Sequence, residues 1–260
     1  MIVYVLQTDN RPTLDYLLMS QEVNRRFCEH LNYKYLFIKL DKFTHGKIHP
    51  ATKKIHVVND ILQNRTGDVL VFLDSDAWIQ NGFLLNEMIH NLMNDDLTHG
   101  CFSRDPYLKN NTFVNSGSFI VKMNHYIKNM YRDLVAEFHA NQEYHHKWPY
   151  DQYYISKYVF DNKDQFSIFV PDILNTPYGK ILRHNWVKNE KMYDDMNDLL
   201  NNDVSINETS FDERKHYDDQ DFPNTIRDGC EMRKILEKKY GKGFVSKYLY
   251  RHPNSTWCSD

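Results

Sequence analysis

The sequence predicts an α/β fold, a mainly parallel central sheet flanked by helices, followed by a C-terminal, partly helical extension. Three observations lead there. Up to about residue 180, short apolar runs alternate with amphipathic stretches at helical spacing. The run Val69–Leu73 is apolar without interruption, as a parallel strand covered on both faces requires. Past residue 190 the alternation gives way to a polar stretch rich in Asp and Asn.

Taken in order, residues 2–6 (IVYVL) form the first strand candidate. A helix follows from Thr13 as N-cap, with Leu14, Leu17, Leu18, Phe27 and Leu31 on roughly one face. Residues 35–38 (YLFI) are a second strand, and a helix over Lys53–Asn64 carries Ile55, Val58 and Leu62 and ends near Gly67. After the strand at 69–73, Leu85, Met88, Ile89 and Leu92 mark another helix. Strands are expected near Cys101-Phe102 and across Ser118–Val121. The clearest helix then carries Ile127, Met130, Tyr131, Leu134, Val135 and Phe138 behind an Asn124 cap. Residues 193–224 read as loop, and Cys230–Tyr240 as a short helix ending at Gly241. The organisation is therefore one α/β domain over 1–190 and an extension over 191–260, without internal repeats.

Composition narrows the function. A net charge of −3 gives no basic surface for nucleic acid or anionic membranes. No apolar run approaches the roughly 18 residues of a membrane span. The N-terminus lacks a basic lead and a small-residue cleavage site, so it reads as a strand and not as a signal peptide. Cys28, Cys101, Cys230 and Cys258 are too dispersed for a zinc site and fit reduced thiols, which places the chain in the cytoplasm.

The chemistry concentrates in Val69-Leu70-Val71-Phe72-Leu73-Asp74-Ser75-Asp76. Residues two apart on a strand project to the same side, about 6.6 Å apart along the chain. At the carboxyl end of a parallel strand that side opens on the crevice where α/β proteins bind ligands. Two carboxylates there repel each other unless a cation joins them, and oxygen ligands select Mg²⁺ or Mn²⁺. A diphosphate is the natural further ligand of such an ion. A second D-x-D, Asp219-Gln220-Asp221, has no strand before it and reads as a solvated acidic face.

With these residues in hand, the chain resembles the GT-A class of nucleotide-sugar glycosyltransferases. It is most similar to the subgroup of fungal galactosyl- and mannosyltransferases and plant xylosyltransferases. The resemblance runs over residues 1–190 in matching order. Its pieces are Thr8-Asp9-Asn10; Asn24-Arg25-Arg26-Phe27-Cys28 leading to Asn32-Tyr33-Lys34-Tyr35; Lys53-Lys54; FLDSDAWI at 72–79; Asn115-Ser116-Gly117 before Ser118–Val121; Asp151-Gln152; and Arg183-His184-Asn185-Trp186.

The resemblance implies a GT-A, Rossmann-like sheet and a metal held by Asp74, Asp76 and His184. The nitrogen ligand tilts the choice from Mg²⁺ toward Mn²⁺. It further implies nucleotide binding by Thr8, Asp9, Asn10, Lys54, Ser75 and Lys188, and a donor sugar beside Asn115, Ser116, Gly117 and Trp186. Asp151 and Gln152 fall near the anomeric carbon and the acceptor. Val187 departs from the family, whose members more often have a glycine there, which bears on Lys188 more than on His184. The implied reaction is transfer of a hexose or pentose, with retention, from a UDP-sugar (GDP-mannose second) to a glycan or other hydroxyl. A transferase without an anchor resembles bacterial enzymes and those of large DNA viruses, or a soluble domain of a longer chain.

Plainer readings stand beside these. Asp9 and Asn10 suit a turn ahead of Pro12, Lys53 and Lys54 a solvated helix face, and Asn115–Gly117 a turn or bulge. Asp151 suits an N-cap. Two other functions compete: a haloacid-dehalogenase-like phosphohydrolase, against which Trp78 stands where that family has Thr or Val, and a non-catalytic sugar-nucleotide-binding protein.

Overall fold

A computed structural model describes residues 1–40, 48–105, 113–186 and 190–202. Its core is a six-stranded sheet of β1 (Val3–Asp9), β2 (Lys34–Lys39), β3 (Val69–Leu73), β5 (Gly100–Ser103), β6 (Ser118–Lys122) and β7 (Phe166–Phe169). The strands lie in the order β2-β1-β3-β6-β5-β7. Every neighbouring pair is parallel except those involving β6, which runs antiparallel to both β3 and β5. Two short strands, β4 (Ala77–Ile79) and β8 (Leu182–His184), form a separate antiparallel ribbon.

The uninterrupted apolar run of β3 has its reason in the packing. Val69, Val71 and Leu73 enter one core while Leu70 and Phe72 enter the other, so period-two alternation leaves no face for water. The first core is closed by α1 (Asp15–His30), α3 (Gly82–Asn94), the short α6 (Pro171–Leu174) and α7 (Glu190–Asn201). The second is closed by α2 (Pro50–Asn64), α4 (His125–Ala140) and α5 (Asp151–Asp161). In α4 the expected stripe is buried from Ile127 to Phe138, apart from a partly buried Val135, and Asn124 caps the helix by accepting from the Ile127 amide.

Several expected boundaries move. Thr13 does not cap α1: the helix begins at Asp15 behind Leu14, which has no capping side chain, and Leu18 faces solvent at 50% exposure. Helix α2 starts three residues before Lys53, because Pro50 presets the first turn and the His49 ring accepts from the Ala51 amide. Lys53 and Lys54 are both buried, which removes the solvated-face reading. Asp151 is the first residue of α5, not its cap; that position is Tyr150, with a left-handed φ of 55°.

The largest change is at the start of the supposed loop from residue 193. Residues 190–201 are helical, with Met192, Met196 and Leu199 buried at i, i+4 and i+7 against the first core. Tyr193 and Leu200, partly buried, flank these three, and the spacing is that of a helix packed on one face despite the Asp and Asn between them. The expected helix at 230–240 and the second D-x-D at 219–221 lie outside the described residues.

Met196→Ala is expected to destabilise the chain by about 2–5 kcal/mol, the cost of deleting a fully buried Met. Urea unfolding measures this, and an unchanged midpoint would mean that α7 packs too loosely to belong to the core.

Candidate metal and substrate site

The site grows from the carboxyl end of β3. Asp74 follows the last residue of that strand, and its amide donates to the Gly117 carbonyl at 2.7 Å. The reversed direction of β6 makes this contact: Leu73 pairs with Ser118, so the residues leading into β6 arrive where β3 ends. Asn115, Ser116 and Gly117 are thereby set beside Asp74. Beyond Asp76 the chain enters β4, where Ala77 pairs with His184 across the ribbon. The Asn185 amide donates to the Asp76 carbonyl at 2.9 Å, which fixes that register. Residues more than a hundred positions apart thus meet through one short ladder.

His184 Nε2 lies 3.2 Å from Asp76 Oδ1 and 3.8 Å from Asp74 Oδ2. One ligand atom from each of the three residues lies within 4.8 Å of the others. Behind the ring, Nδ1 lies 3.2 Å from Asn115 Oδ1 and 3.1 Å from Asn175 Oδ1. A neutral imidazole has one N–H. Spent on the amide oxygens, it leaves the Nε2 lone pair facing two carboxylates, an arrangement that a cation between them resolves. The donor set therefore fits a divalent ion, with one nitrogen among oxygens.

Gly117 has a packing reason. A Cβ there would run into Cε1 and Nδ1 of the His184 ring, with Nε2 2.8 Å away. The ring packs directly against this glycine, and the Trp186 ring stands nearly perpendicular to it with centroids 5.4 Å apart.

Lys54 joins Asp74 to Asp151. Its Nζ lies 3.0 Å from Asp74 Oδ1, 3.2 Å from Asp151 Oδ2 and 3.3 Å from Ser116 Oγ. Burial alone would lower the ammonium's pKa, but Asp151 and Asp74 outweigh it and hold Lys54 above its ordinary value. The same burial pushes the Asp151 carboxyl up, against the pull of Lys54.

A polar frame that the sequence did not advertise grips the backbone of the acidic turn. The buried Gln7 amide nitrogen lies 3.0 Å from the Asp74 carbonyl and 3.1 Å from that of Ala77, while Tyr35 donates to its oxygen at 2.6 Å. Ser20 Oγ reaches the Ser75 carbonyl at 3.0 Å. Asn24 donates to the Ala77 carbonyl and accepts from the Ile79 amide. A buried Gln in an apolar strand was the available signal for this frame.

Two clefts meet at the acidic turn, sharing Ala51, Lys54, Asp74 and His184. The larger, about 520 Å³, is lined by Thr8, Asp9, Asn10, Arg11, Ser75 and Asp76 among others, and lies in the size range of small-molecule sites. The smaller, about 160 Å³, is lined by Asp105, Asn115, Ser116, Gly117, Asp151, Gln152 and Trp186 among others. Asp9 makes a turn here, accepting from the Arg11 amide at 2.6 Å and from the Arg11 guanidinium through both oxygens. The structure brings together all the expected site residues except Lys188, which lies outside the described residues. A further cleft of about 520 Å³ lies between α3 and the β5–β7 edge, but among the described residues no cluster of three ligating side chains stands in it.

No protein-family model and no curated protein matches the sequence. Among solved structures, the chain is similar to a glycosyltransferase involved in the glycosylation of the major capsid of PBCV-1, with TM-score 0.60 and 12% identity over 78% of this chain and 100% of that one. It is also similar to the apo-form glycosyltransferase GlyE of Streptococcus pneumoniae TIGR4, with TM-score 0.51 and 13% identity over 83% of this chain and 64% of that one. The likeness shows the fold: a mixed α/β, mostly parallel sheet flanked by helices, consistent with the Rossmann-like GT-A architecture of glycosyltransferases.

Two outcomes follow from the geometry. Gly117→Ala displaces the His184 ring and is expected to weaken Mn²⁺ binding by about 10-fold or more at intact secondary structure, read by electron paramagnetic resonance and circular dichroism. Unchanged binding would mean that His184 is not a ligand. Lys54→Met strands two carboxylates and is expected to cost about 3–5 kcal/mol in urea unfolding. Asp151→Asn in the same chain should recover part of that loss, and additive losses would contradict the pairing.

Proposed function

We propose that this chain is a metal-dependent glycosyltransferase that moves a hexose or pentose from a nucleotide-diphosphate sugar to a glycan or other hydroxyl acceptor. The observation that carries the reading is the Asp74–Asp76–His184 cluster at the junction of two clefts, one roomy and one small. UDP-sugars are the favoured donors, with GDP-mannose second. The catalytic unit is residues 1–190, with 191–260 an extension whose first turns, α7, pack against α1. A cytoplasmic setting suits the buried, unpaired thiols of Cys28 and Cys101.

Asp74, Asp76 and His184 would hold the ion, Mn²⁺ before Mg²⁺. Bound there, it supplies positive charge against the diphosphate of the departing nucleotide. The nucleotide lies in the larger cleft along Thr8, Asp9, Asn10 and Ser75, with Lys188 as a phosphate contact. The sugar points into the smaller cleft, toward Asn115, Ser116, Gly117 and Trp186. Lys54 keeps Asp74 and Asp151 from repelling each other across the junction, and Asp151 and Gln152 face the anomeric carbon and the acceptor.

Retention is the stereochemical course the site favours. An inverting enzyme needs a free general base, and the described candidate, Asp151, is buried and tied to Lys54. In the retaining course the bond from the anomeric carbon to the diphosphate oxygen breaks, and its electron pair leaves with the nucleoside diphosphate. The acceptor oxygen bonds to the same face of that carbon, and its proton passes to the departing phosphate oxygen.

The test is thermal stabilisation and donor hydrolysis across UDP- and GDP-sugars, with Mn²⁺ or with EDTA. One nucleotide class is expected to stabilise the chain only with Mn²⁺, and Asp76→Ala should abolish the effect. No response from folded protein to any donor with metal present would sink the assignment.

A further inference from the structure

We propose that Asp105 is a positioning residue whose single carboxylate oxygen orients two amides, turning the oxygen of Asn115 onto His184 and that of Gln152 toward the small cleft. Asp105 Oδ2 accepts from Asn115 Nδ2 at 3.2 Å and from Gln152 Nε2 at 2.7 Å. An amide side chain can present either end, and what decides is which end is already bound. A carboxylate has only acceptors, so both NH₂ groups must face it.

For Asn115 the consequence is visible. With Nδ2 held by Asp105, its oxygen accepts from the Gly117 amide at 2.8 Å and lies 3.2 Å from His184 Nδ1. That oxygen and Asn175 Oδ1, 3.1 Å from the same ring nitrogen, together call for the proton on Nδ1, which leaves Nε2 to face Asp74 and Asp76. Asp105 thus acts on the metal-ligating nitrogen through one intervening side chain, as outer partners of metal-bound histidines do.

For Gln152 the same logic applies across the cleft that both residues line. Its Nε2 is taken by Asp105, so what it offers a ligand is an acceptor oxygen. The class of group it would receive is a hydroxyl, such as a sugar bears; this half of the inference rests on the transferase reading, and the metal half does not.

The carboxylate is rigidly placed. Arg104 bridges Val114 in antiparallel fashion, the Asp105 amide donates to the Phe113 carbonyl at 2.9 Å, and the Asn115 amide donates to that of Ser103 at 2.9 Å. Two backbone segments are zipped together on either side of the Asp105–Asn115 contact.

The experiment uses the full chain in wild-type, Asp105→Ala, Asn115→Ala and doubly substituted forms. Mn²⁺ affinity is read by electron paramagnetic resonance, and solvent exchange of the side-chain NH₂ groups by ¹⁵N nuclear magnetic resonance. Asp105→Ala is expected to weaken Mn²⁺ binding by about 10-fold, in line with losses at outer partners of metal ligands. Asn115→Ala should do the same, and the double substitution no more than either. The NH₂ groups of Asn115 and Gln152 should lose exchange protection together. Asp105→Asn, which keeps the shape and one acceptor oxygen, should lose less and serves if Asp105→Ala does not fold. Protection that persists without Asp105, or additive losses of affinity, would overturn the proposal. If the wild type binds Mn²⁺ but responds to no nucleotide sugar, the transferase reading fails while coupling and exchange still decide the role of Asp105. If it binds no Mn²⁺, exchange protection alone decides the orientation.

Discussion

Three carboxylates, those of Asp74, Asp76 and Asp151, are gathered at one end of the sheet, and the surrounding structure is arranged so that they can stay there. Carboxylates that lose water without gaining a counter-charge take up protons or push the fold apart. Lys54 answers two of them with one ammonium, and His184 Nε2 faces the pair on the strand end, completing a donor set for a cation. Lys54 is nearly buried, so its interaction with the carboxylates is little screened by water or salt. The junction of the two clefts is thus also the place where removing one positive group does most harm.

The same constraint accounts for how the acidic turn is held. The turn has to project carboxylates into a cleft, so its side chains cannot anchor it. Its backbone is anchored instead, by Gln7, Ser20 and Asn24, all buried and all directed at carbonyls or amides between Asp74 and Ile79. Each of these polar groups would be costly to bury alone; bonded to the turn they stiffen it. Rigid support beneath the acidic turn is what holds its two carboxylates within 4.8 Å of the His184 ring nitrogen, in a cation's reach.

How much of this was legible in the sequence depends on whether the signal was local. The apolar run ending in Asp74 identified β3 and its crevice, because strand periodicity and a carboxyl-terminal edge are properties of adjacent residues. Alternating strands and helices gave the α/β class in the same way, and the Asn124 cap was legible because capping is a contact three residues long. The β4–β8 ribbon was not legible: three residues each, joined across a hundred positions, carry no periodicity. Without a resemblance to known transferases, His184 would have been one of 13 histidines. Helix α7 was missed because its Asp and Asn content reads as loop, although Met192, Met196 and Leu199, with Tyr193 and Leu200 beside them, keep the spacing of one helical face.

Gly117 shows why a motif can be read correctly as important and incompletely as to cause. From the sequence, a glycine between polar residues suggests backbone approach to a ligand, or a bulge. In the fold its hydrogen in place of a side chain admits the His184 ring, a partner 67 positions away. The two explanations are compatible, since a ring laid on the glycine also leaves the neighbouring Asn115 and Ser116 as the polar lining of the small cleft. They differ in what must covary. A glycine kept for a ligand is free of His184, whereas a glycine kept for packing cannot be replaced unless the histidine changes with it. The reversed strand β6, the glycine before it and the histidine at the end of β8 therefore form one structural unit, in which no member has its geometry without the other two.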